Sequence, residues 1–208
     1  MARMARRQRI GGPVLLNATN LDDARLQRMC LDAVAQWRTD GLTVRVRYSR
    51  GADFSGTCYY QTRRIFVNLG RHLLYPYRMG THLARACSDR HHWWKPIYTL
   101  QLADPYQVVL FVFLHECFHF LIKRARRNPR QKESMCDRFA ARVLVDHYGA
   151  VVRDGPAKPV PRREWDFQDL DRFVAAARRT QRTRASARTP TPPPTPAPPR
   201  TQLLLFPA

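Results

Sequence analysis

The segment from Asp104 to Lys123 limits the fold of this 208-residue chain more than any other. Asp104 followed by Pro105 is typical of a helix start, with a capping aspartate and proline at the first helical position. Apolar residues then cover nearly every face of the helix as far as residue 114. A helix that is apolar all round is buried. We therefore predict a central helix from 105 to about 123, with the rest of one domain packed around it.

The second half of this helix carries a pentad that combines two histidines and a glutamate, His115-Glu116-Cys117-Phe118-His119. Positions i and i+4 lie on one helix face, so His115 and His119 can reach one ion. Glu116 lies on the adjoining surface, where it can act on a water molecule beside a metal. The spacing predicts two metal ligands and a catalytic base. The alternative is two satisfied core histidines and a surface glutamate.

A third protein ligand is needed for a catalytic zinc site, and Glu133 is the candidate. Glu133 and Asp137 are i and i+4 on the next predicted helix, so both face the same way. One of them can bind the metal while the other hydrogen-bonds a ligand imidazole. The chain contains only three glutamates, Glu116, Glu133 and Glu164, and two of them stand at these positions.

The pentad followed by Glu-x-x-x-Asp-x-Phe-Ala at 133–140 resembles the gluzincin metallopeptidases. The predicted layout is similar to the minimal ImmA/IrrE-like and SprT-like zincin domains over about residues 20–150. The resemblance implies an α+β, zincin-like minimal metallopeptidase: a small, mostly antiparallel sheet packed on helices, with a buried active-site helix.

The resemblance also implies roles for individual residues. Zn²⁺ would be bound by His115, His119 and Glu133, and Asp137 would hold a ligand histidine. Glu116 would be general base and then general acid in amide hydrolysis. SprT-like enzymes usually have a third histidine ligand, which leaves His147 as the alternative to Glu133.

Other segments surround this core with less distinctive patterns. We predict a helix over 21–38 capped by Asn20, a helix from 128–129 to Tyr148 stopped by Gly149, and a last helix over 164–179. Strict alternation predicts a strand over 42–48, and two further strands are expected over 57–61 and 64–69. Residues 71–101 are expected to be irregular.

Features of the substrate site are less well determined by the sequence. The strand over 64–69 is expected to be the edge to which a peptide substrate adds by backbone hydrogen bonds. The oxyanion-stabilising residue is left open, with three weak candidates: Tyr60, His147 and Tyr148.

Composition divides the chain into four parts. Residues 1–13 are predicted to be a disordered basic leader, and residues 14–179 the metallopeptidase domain. Residues 180–200 are predicted to be a disordered basic and proline-rich linker, since 189–200 holds seven prolines in 12 residues. Residues 201–208 form a short apolar end.

The apolar end resembles the peptide by which bacterial replication and repair proteins bind the sliding clamp. The pattern is Gln-Leu-x-Leu-Phe, and four positions match it: Gln202, Leu203, Leu205 and Phe206. The resemblance implies that the last two insert as anchors in an apolar pocket of the clamp. The alternative is a stray tail, or one that docks back on the domain.

The formal net charge of +20 predicts attraction to polyanions such as DNA. The other explanation is a GC-rich genome, which favours arginine over lysine. Only four of the 36 basic residues are lysines. Candidate nucleic-acid residues are two aromatic and three basic ones: Trp93, Trp94, Arg124, Arg126 and Arg127. The two tryptophans could stack bases, or could belong to a lid packed on the core.

Five cysteines without CxxC spacing argue against a disulfide framework. A second metal site at Cys87, His91 and His92 is a weaker possibility. The longest apolar run, Val108–Leu114, is too short to cross a bilayer, and an apolar signal region does not follow the basic N-terminus. We therefore expect a cytoplasmic, nucleoid-associated protein.

Together these features predict a zinc-dependent endopeptidase that is tethered to the bacterial sliding clamp and cleaves DNA-associated or DNA-crosslinked proteins. One alternative is a regulatory ImmA/IrrE-type peptidase that cleaves a repressor. Another is a non-catalytic, zinc-stabilised adaptor between the clamp and DNA.

Overall fold

The computed structural model describes residues 12–130, 132–155 and 158–176. The helices are α1 (Asp23–Ala33), α2 (Pro105–Arg124), α3 (Glu133–Tyr148) and α4 (Arg162–Trp165). Most of the predicted leader, the whole linker and the residues predicted to bind the clamp (Gln202, Leu203, Leu205 and Phe206) lie outside the described residues. The fold is mixed α+β with antiparallel-rich sheets packed on helices, which confirms the prediction at that level.

The first sheet contains β1 (Val14–Ala18), β2 (Thr43–Tyr48), β3 (Phe54–Tyr59) and β4 (Arg64–Leu69), in the order β1-β2-β4-β3. β2 pairs with β1 and β4 in parallel, and β3 pairs with β4 antiparallel. The side chains of Val44, Val46, Ile65 and Val67 are fully buried from this sheet. The strands predicted over 42–48 and 64–69 are confirmed as β2 and β4, and the strand predicted over 57–61 is β3, which begins and ends earlier.

The strand at the sheet edge is β3, and not the predicted segment 64–69. β4 lies inside the sheet between β2 and β3, so its backbone groups are paired on both sides. β2, which also pairs with β1, lies along the side of β4 that was expected to be free. Local sequence does not reveal this, because it depends on a parallel partner some 20 residues away in the chain.

Residues 71–101 were expected to be irregular, and that prediction was wrong. They contain a hairpin and two strands of a second sheet, whose other strands come later in the chain. The elements are β5 (Tyr77–Thr81), β6 (Cys87–Ser88), β7 (Trp93–Trp94), β8 (Tyr98–Leu102), β9 (Val151–Asp154) and β10 (Lys158–Pro159). The sheet order is β10-β9-β8-β5, all antiparallel, and β6 pairs with β7. β5 and β8 are separated by the whole hairpin, so no tight turn marks their pairing.

α2 is the buried central helix, as predicted. The Asp104 side chain accepts a hydrogen bond from the backbone N of Gln107 at 2.9 Å and caps the helix. Packing against α3 includes Phe118 stacked on Phe139, with ring centroids 4.6 Å apart. Among the described residues, α2 is the one helix whose length and composition would let it cross a membrane, and 78% of its most apolar stretch is buried within the protein. A buried core helix passes the same test, so this is weak evidence for a membrane.

The other helices differ from prediction at their ends. Asp22, and not Asn20, caps α1 by accepting from the backbone N of Arg25 at 2.6 Å, and α1 ends at Ala33. Asn128 forms a turn instead of a helix start, since its side chain accepts from the backbone N of Arg130 at 3.0 Å. Gly149 does end α3, in the left-handed conformation at φ 70°. The last predicted helix is two helical segments, α4 and residues 170–176, separated by a short break.

Candidate metal centre

Three side chains from α2 and α3 bring potential ligand atoms close together. Nε2 of His115 lies 3.2 Å from Nε2 of His119. The two carboxylate oxygens of Glu133 lie 3.0 Å and 3.4 Å from these nitrogens. Tetrahedral coordination with bonds of about 2.0–2.1 Å sets ligand atoms roughly 3.3 Å apart. The donor set therefore fits a tetrahedral metal ion in both chemistry and spacing.

The two helices present these side chains for simple reasons. His115 and His119 are one turn apart on α2, so their rings project from the same face. Glu133 is the first residue of α3, which packs along α2 through the Phe118–Phe139 stack. The start of α3 is thereby held over the histidines.

Asp137 fixes the orientation of His115 from the other side of the ring. One carboxylate oxygen lies 2.7 Å from Nδ1 of His115, and the other accepts the backbone N–H of His82 at 2.6 Å. Asp137 is buried, with 5% of its surface exposed. A carboxylate on Nδ1 holds the proton there and directs the lone pair of Nε2 toward Glu133 and His119.

The electrostatics of the site favour a cation between these groups. Burial opposes the charge of His115, yet hydrogen bonds to Asp137 and Glu133 raise its pKa to about 9. The pKa of His119 is lowered by burial and by the nearby charge of His115. Hydrogen bonding to His115 lowers the pKa of Glu133 to about 2, so this carboxylate is ionised. A cation at this point, whether a proton or a metal ion, thus interacts favourably with the three converging groups.

Cys136 is a further potential ligand that the sequence prediction missed. Its sulfur and the ring nitrogens of His115 and His119 all lie within 4.8 Å of one another, so this buried group could hold a metal. Burial and the carboxylates of Glu133 and Asp137 raise the pKa of the Cys136 thiol, which disfavours the thiolate that binds metals. Glu133 has the shorter contacts and the lower pKa, so we favour it as third ligand. Position 136 follows 133 by three residues on one helix face, and that spacing is the signal that could have indicated it.

Glu116 lies on the side of α2 that faces β3. A Cβ atom added at Gly56 would lie 2.5 Å from Oε1 of Glu116, so glycine is the residue that leaves room for this carboxylate. Burial, together with the charge of Glu133, raises the pKa of Glu116. A cleft of about 600 Å³ opens here, with Glu116, His119, Glu133 and Gly56 among its lining residues. A raised pKa beside an open cleft suits a group that accepts and returns a proton.

Of the three candidates for oxyanion stabilisation, Tyr60 lines the cleft and the other two do not. Burial raises the pKa of Tyr60 to about 12, so its hydroxyl stays protonated and can donate a hydrogen bond. His147 and Tyr148 are at the opposite end of α3 from Glu133. Fourteen helical residues extend roughly 21 Å at about 1.5 Å per residue. Neither His147 nor Tyr148 can therefore share a site with Glu133, which also removes His147 as a third ligand.

The candidate nucleic-acid residues lie on two different parts of the fold, the β6–β7 hairpin and the end of α2 with the loop after it. Trp93 and Trp94, on β7 of the hairpin, have 71% and 47% of their surface exposed, so they are not packed on the core. Arg124 donates to the backbone O of Arg38 and to Asp40, and Arg127 stacks on Phe173. Arg126 is exposed, in a left-handed backbone conformation at φ 56°.

The weaker metal site near the hairpin is not formed. Within the described ranges, the potential ligands that come together are those at His115, and Cys87, His91 and His92 do not form such a group. Asp89 instead accepts the backbone N–H groups of His91 and His92, at 2.8 Å and 2.6 Å. The hairpin turn is therefore organised by this aspartate. The five cysteines are free, as the sequence indicated.

Compared with models of protein families, with curated proteins and with solved structures, the chain gives no significant match.

Proposed function

We propose that this protein is a zinc-dependent endopeptidase with a zincin-like minimal domain. The observation that carries the proposal is the convergence of His115, His119 and Glu133 within 3.0–3.4 Å of one another, beside a glutamate that faces an open cleft. Two histidines and a carboxylate are a ligand set of catalytic zinc sites that leave a coordination position open.

The proposed chemistry is amide hydrolysis. His115, His119 and Glu133 would hold a zinc ion, which would supply Lewis acidity for activating a water molecule and polarising the scissile carbonyl. Glu116 accepts the proton of the attacking water and delivers it to the leaving amine. Asp137 keeps His115 in the tautomer that binds metal. The Tyr60 hydroxyl at the cleft wall is the candidate donor to the developing oxyanion.

The substrate would be an extended peptide added to the free edge of β3. β3 is the last strand of its sheet in the part of the chain that the structure describes, so one row of its backbone groups has no strand partner there. Gly56 on this strand lies directly against Glu116. A peptide hydrogen-bonded along β3 would therefore bring a carbonyl group next to the proposed base.

We further propose that the sequence beyond the domain determines where the enzyme acts. Gln202, Leu203, Leu205 and Phe206 would bind the bacterial sliding clamp. Twelve proline-rich residues would span roughly 37 Å at ~3.1 Å each if they adopted polyproline II geometry. Tethering gives an effective concentration up to about the millimolar range for short linkers. The enzyme would then be cytoplasmic and nucleoid-associated, and would cleave proteins bound or crosslinked to DNA.

The exposed hairpin supports a direct contact with DNA. Trp93 and Trp94 project from a two-stranded hairpin whose turn carries Arg90, His91 and His92. Exposed aromatic rings near basic residues can stack unpaired bases. We propose this hairpin as a contact for single-stranded DNA, with Arg126 as the exposed arginine of the loop after α2.

The test is proteolysis of a protein crosslinked to DNA, with the clamp loaded or absent. Wild type should cleave, Glu116→Gln should not, and the clamp should accelerate cleavage only when Leu205 and Phe206 are intact. Cleavage that ignores both DNA and clamp, but acts on a repressor, would favour the regulatory-peptidase alternative. Equal cleavage results for wild type and Glu116→Gln would favour the alternative of a non-catalytic adaptor.

A further inference from the structure

The cleft beside the candidate metal centre is lined by basic as well as acidic side chains. Glu116 and Glu133 line it together with His119, and Lys123 and Arg130 line it as well; the part around Lys123 is its basic end. Lys123 is one helical turn beyond His119 on α2, and both basic residues are exposed. Neither forms an ion pair with a carboxylate in the part of the chain that the structure describes. Their charges are therefore available to a ligand in the cleft.

The basic end continues into a smaller cavity of about 180 Å³. Tyr60 and Lys123 line both cavities, and the smaller one adds Arg63 and Arg124. Asp40 neutralises Arg124 through a contact of 3.2 Å. Lys123 and Arg63 have no such partner among the described residues. Lys123 Nζ lies 6.0 Å from the ring centroid of Tyr60, at the point where the two cavities join.

The geometry also gives the distance between this basic end and the proposed scissile bond. α2 and β3 run side by side, with Gly56 against Glu116 and Tyr60 near Lys123. Seven helical residues from Glu116 to Lys123 extend roughly 10 Å. An extended peptide advances about 3.3 Å per residue, so this distance corresponds to about three or four substrate residues.

We propose that the basic end selects peptide substrates that carry an aspartate or glutamate three or four residues from the scissile bond. The inference rests on the proposed peptidase function and names the substrate class of the same cleft. A lone acidic side chain in this peptide meets Lys123 and Arg63, while neutral backbone passes the carboxylates of Glu116 and Glu133. The phosphates of a nucleic acid would also meet Lys123 and Arg63, so a nucleic acid is the alternative ligand that the test must distinguish.

The test is a cleavage-site profile on a pool of peptides whose acidic positions vary, with single peptides then measured for kcat/KM. Wild type should cleave a peptide with Glu at the selected position about tenfold faster than the same peptide with Lys there. Lys123→Glu should abolish or reverse that preference. Lys158→Glu makes the same charge change at an exposed lysine of β10, outside the cleft, and should keep the wild-type preference.

The proposed peptidase function and the proposed substrate preference are contradicted by different results. If wild type and Glu116→Gln give the same profile, the proposed peptidase function is overturned and this inference with it. If Glu116-dependent cleavage occurs without an acidic preference, or Lys123→Glu keeps the wild-type preference, only the specificity inference is overturned. A DNA oligonucleotide could instead inhibit wild-type cleavage. If Lys123→Glu relieves that inhibition without changing the peptide preference, the basic end is a nucleic-acid contact.

Discussion

Asp137 bridges the candidate metal centre and the loop before the exposed hairpin: its carboxylate lies 2.7 Å from Nδ1 of His115 and accepts the backbone N–H of His82 at 2.6 Å. The carboxylate is buried. This arrangement fixes the ring of His115 from behind, and it ties the β5–β6 connection to α3. One residue thus couples the orientation of a proposed ligand to the backbone beside it.

Replacing Asp137 by Asn should weaken zinc binding by about 10–100-fold, because the imidazole loses its charged partner while the shape of the side chain is kept. Competition with a chromophoric chelator measures the affinity. Asp146→Asn, on the exposed side of α3, is the matched control and should bind zinc like wild type. Equal affinity in Asp137→Asn and wild type would contradict the role of Asp137.

The third ligand can be assigned by comparing Glu133→Gln with Cys136→Ser. Glu133 has direct contacts with both histidines, whereas burial and neighbouring carboxylates oppose ionisation of the Cys136 thiol. Glu133→Gln should lose stoichiometric zinc in a metal analysis, and Cys136→Ser should retain it. With Co²⁺ in place of zinc, a thiolate charge-transfer band that disappears in Cys136→Ser would show that the cysteine is the ligand instead.

Gly56→Ala should reduce proteolysis by at least about tenfold while zinc stays bound. The new Cβ would lie 2.5 Å from Oε1 of Glu116, so the carboxylate must move away from its position in the cleft. A displacement of about 1 Å near the reacting groups can cost roughly 100-fold in rate. Activity and metal content are measured on the same preparation.

Gly80→Ala is the control for that substitution, since an added Cβ at Gly80 meets nothing within 4 Å. It should leave both activity and zinc content unchanged. Full activity of Gly56→Ala would show that Glu116 does not need this strand beside it.

Arg138→Leu should lower the free energy of unfolding by about 2–4 kcal/mol, because it leaves buried carbonyl groups without a donor. Arg138 is 1% exposed and donates to the backbone O of Trp165 at 2.5 Å and of Leu83 at 3.2 Å. Urea denaturation measures the change. Arg163→Leu, at an exposed position of α4, should shift the midpoint little. A similar small shift for Arg138→Leu would mean that these contacts are dispensable.

The sequence predicted the parts of the structure that depend on local geometry. The Asp104–Pro105 start and the continuous apolar surface were enough to place α2. The i, i+4 spacings of His115/His119 and Glu133/Asp137 were enough to predict which side chains would meet, and the structure brings these four together. Their function as a zinc site stays a prediction.

The features that sequence reasoning missed depend on distant pairing or on three-dimensional packing. β2 pairs in parallel with β4 and not with β3, the strand that follows it in the chain, and this pairing places β3 instead of β4 at the edge. Cys136 lies close to the histidines because of how α3 packs on α2; its spacing from Glu133 indicates a shared helix face but not this packing. The closeness of Gly56 to Glu116 joins residues 60 positions apart.

The central claim is that Glu116 hydrolyses peptide bonds beside a metal held by His115, His119 and Glu133. The most direct test measures cleavage of an unfolded protein substrate by wild type and Glu116→Gln preparations that contain equal amounts of zinc. We predict cleavage by wild type that a chelator abolishes and added zinc restores, and a loss of at least about 100-fold in Glu116→Gln. Equal rates for the two proteins, or zinc-loaded wild type that cleaves nothing, would contradict the claim.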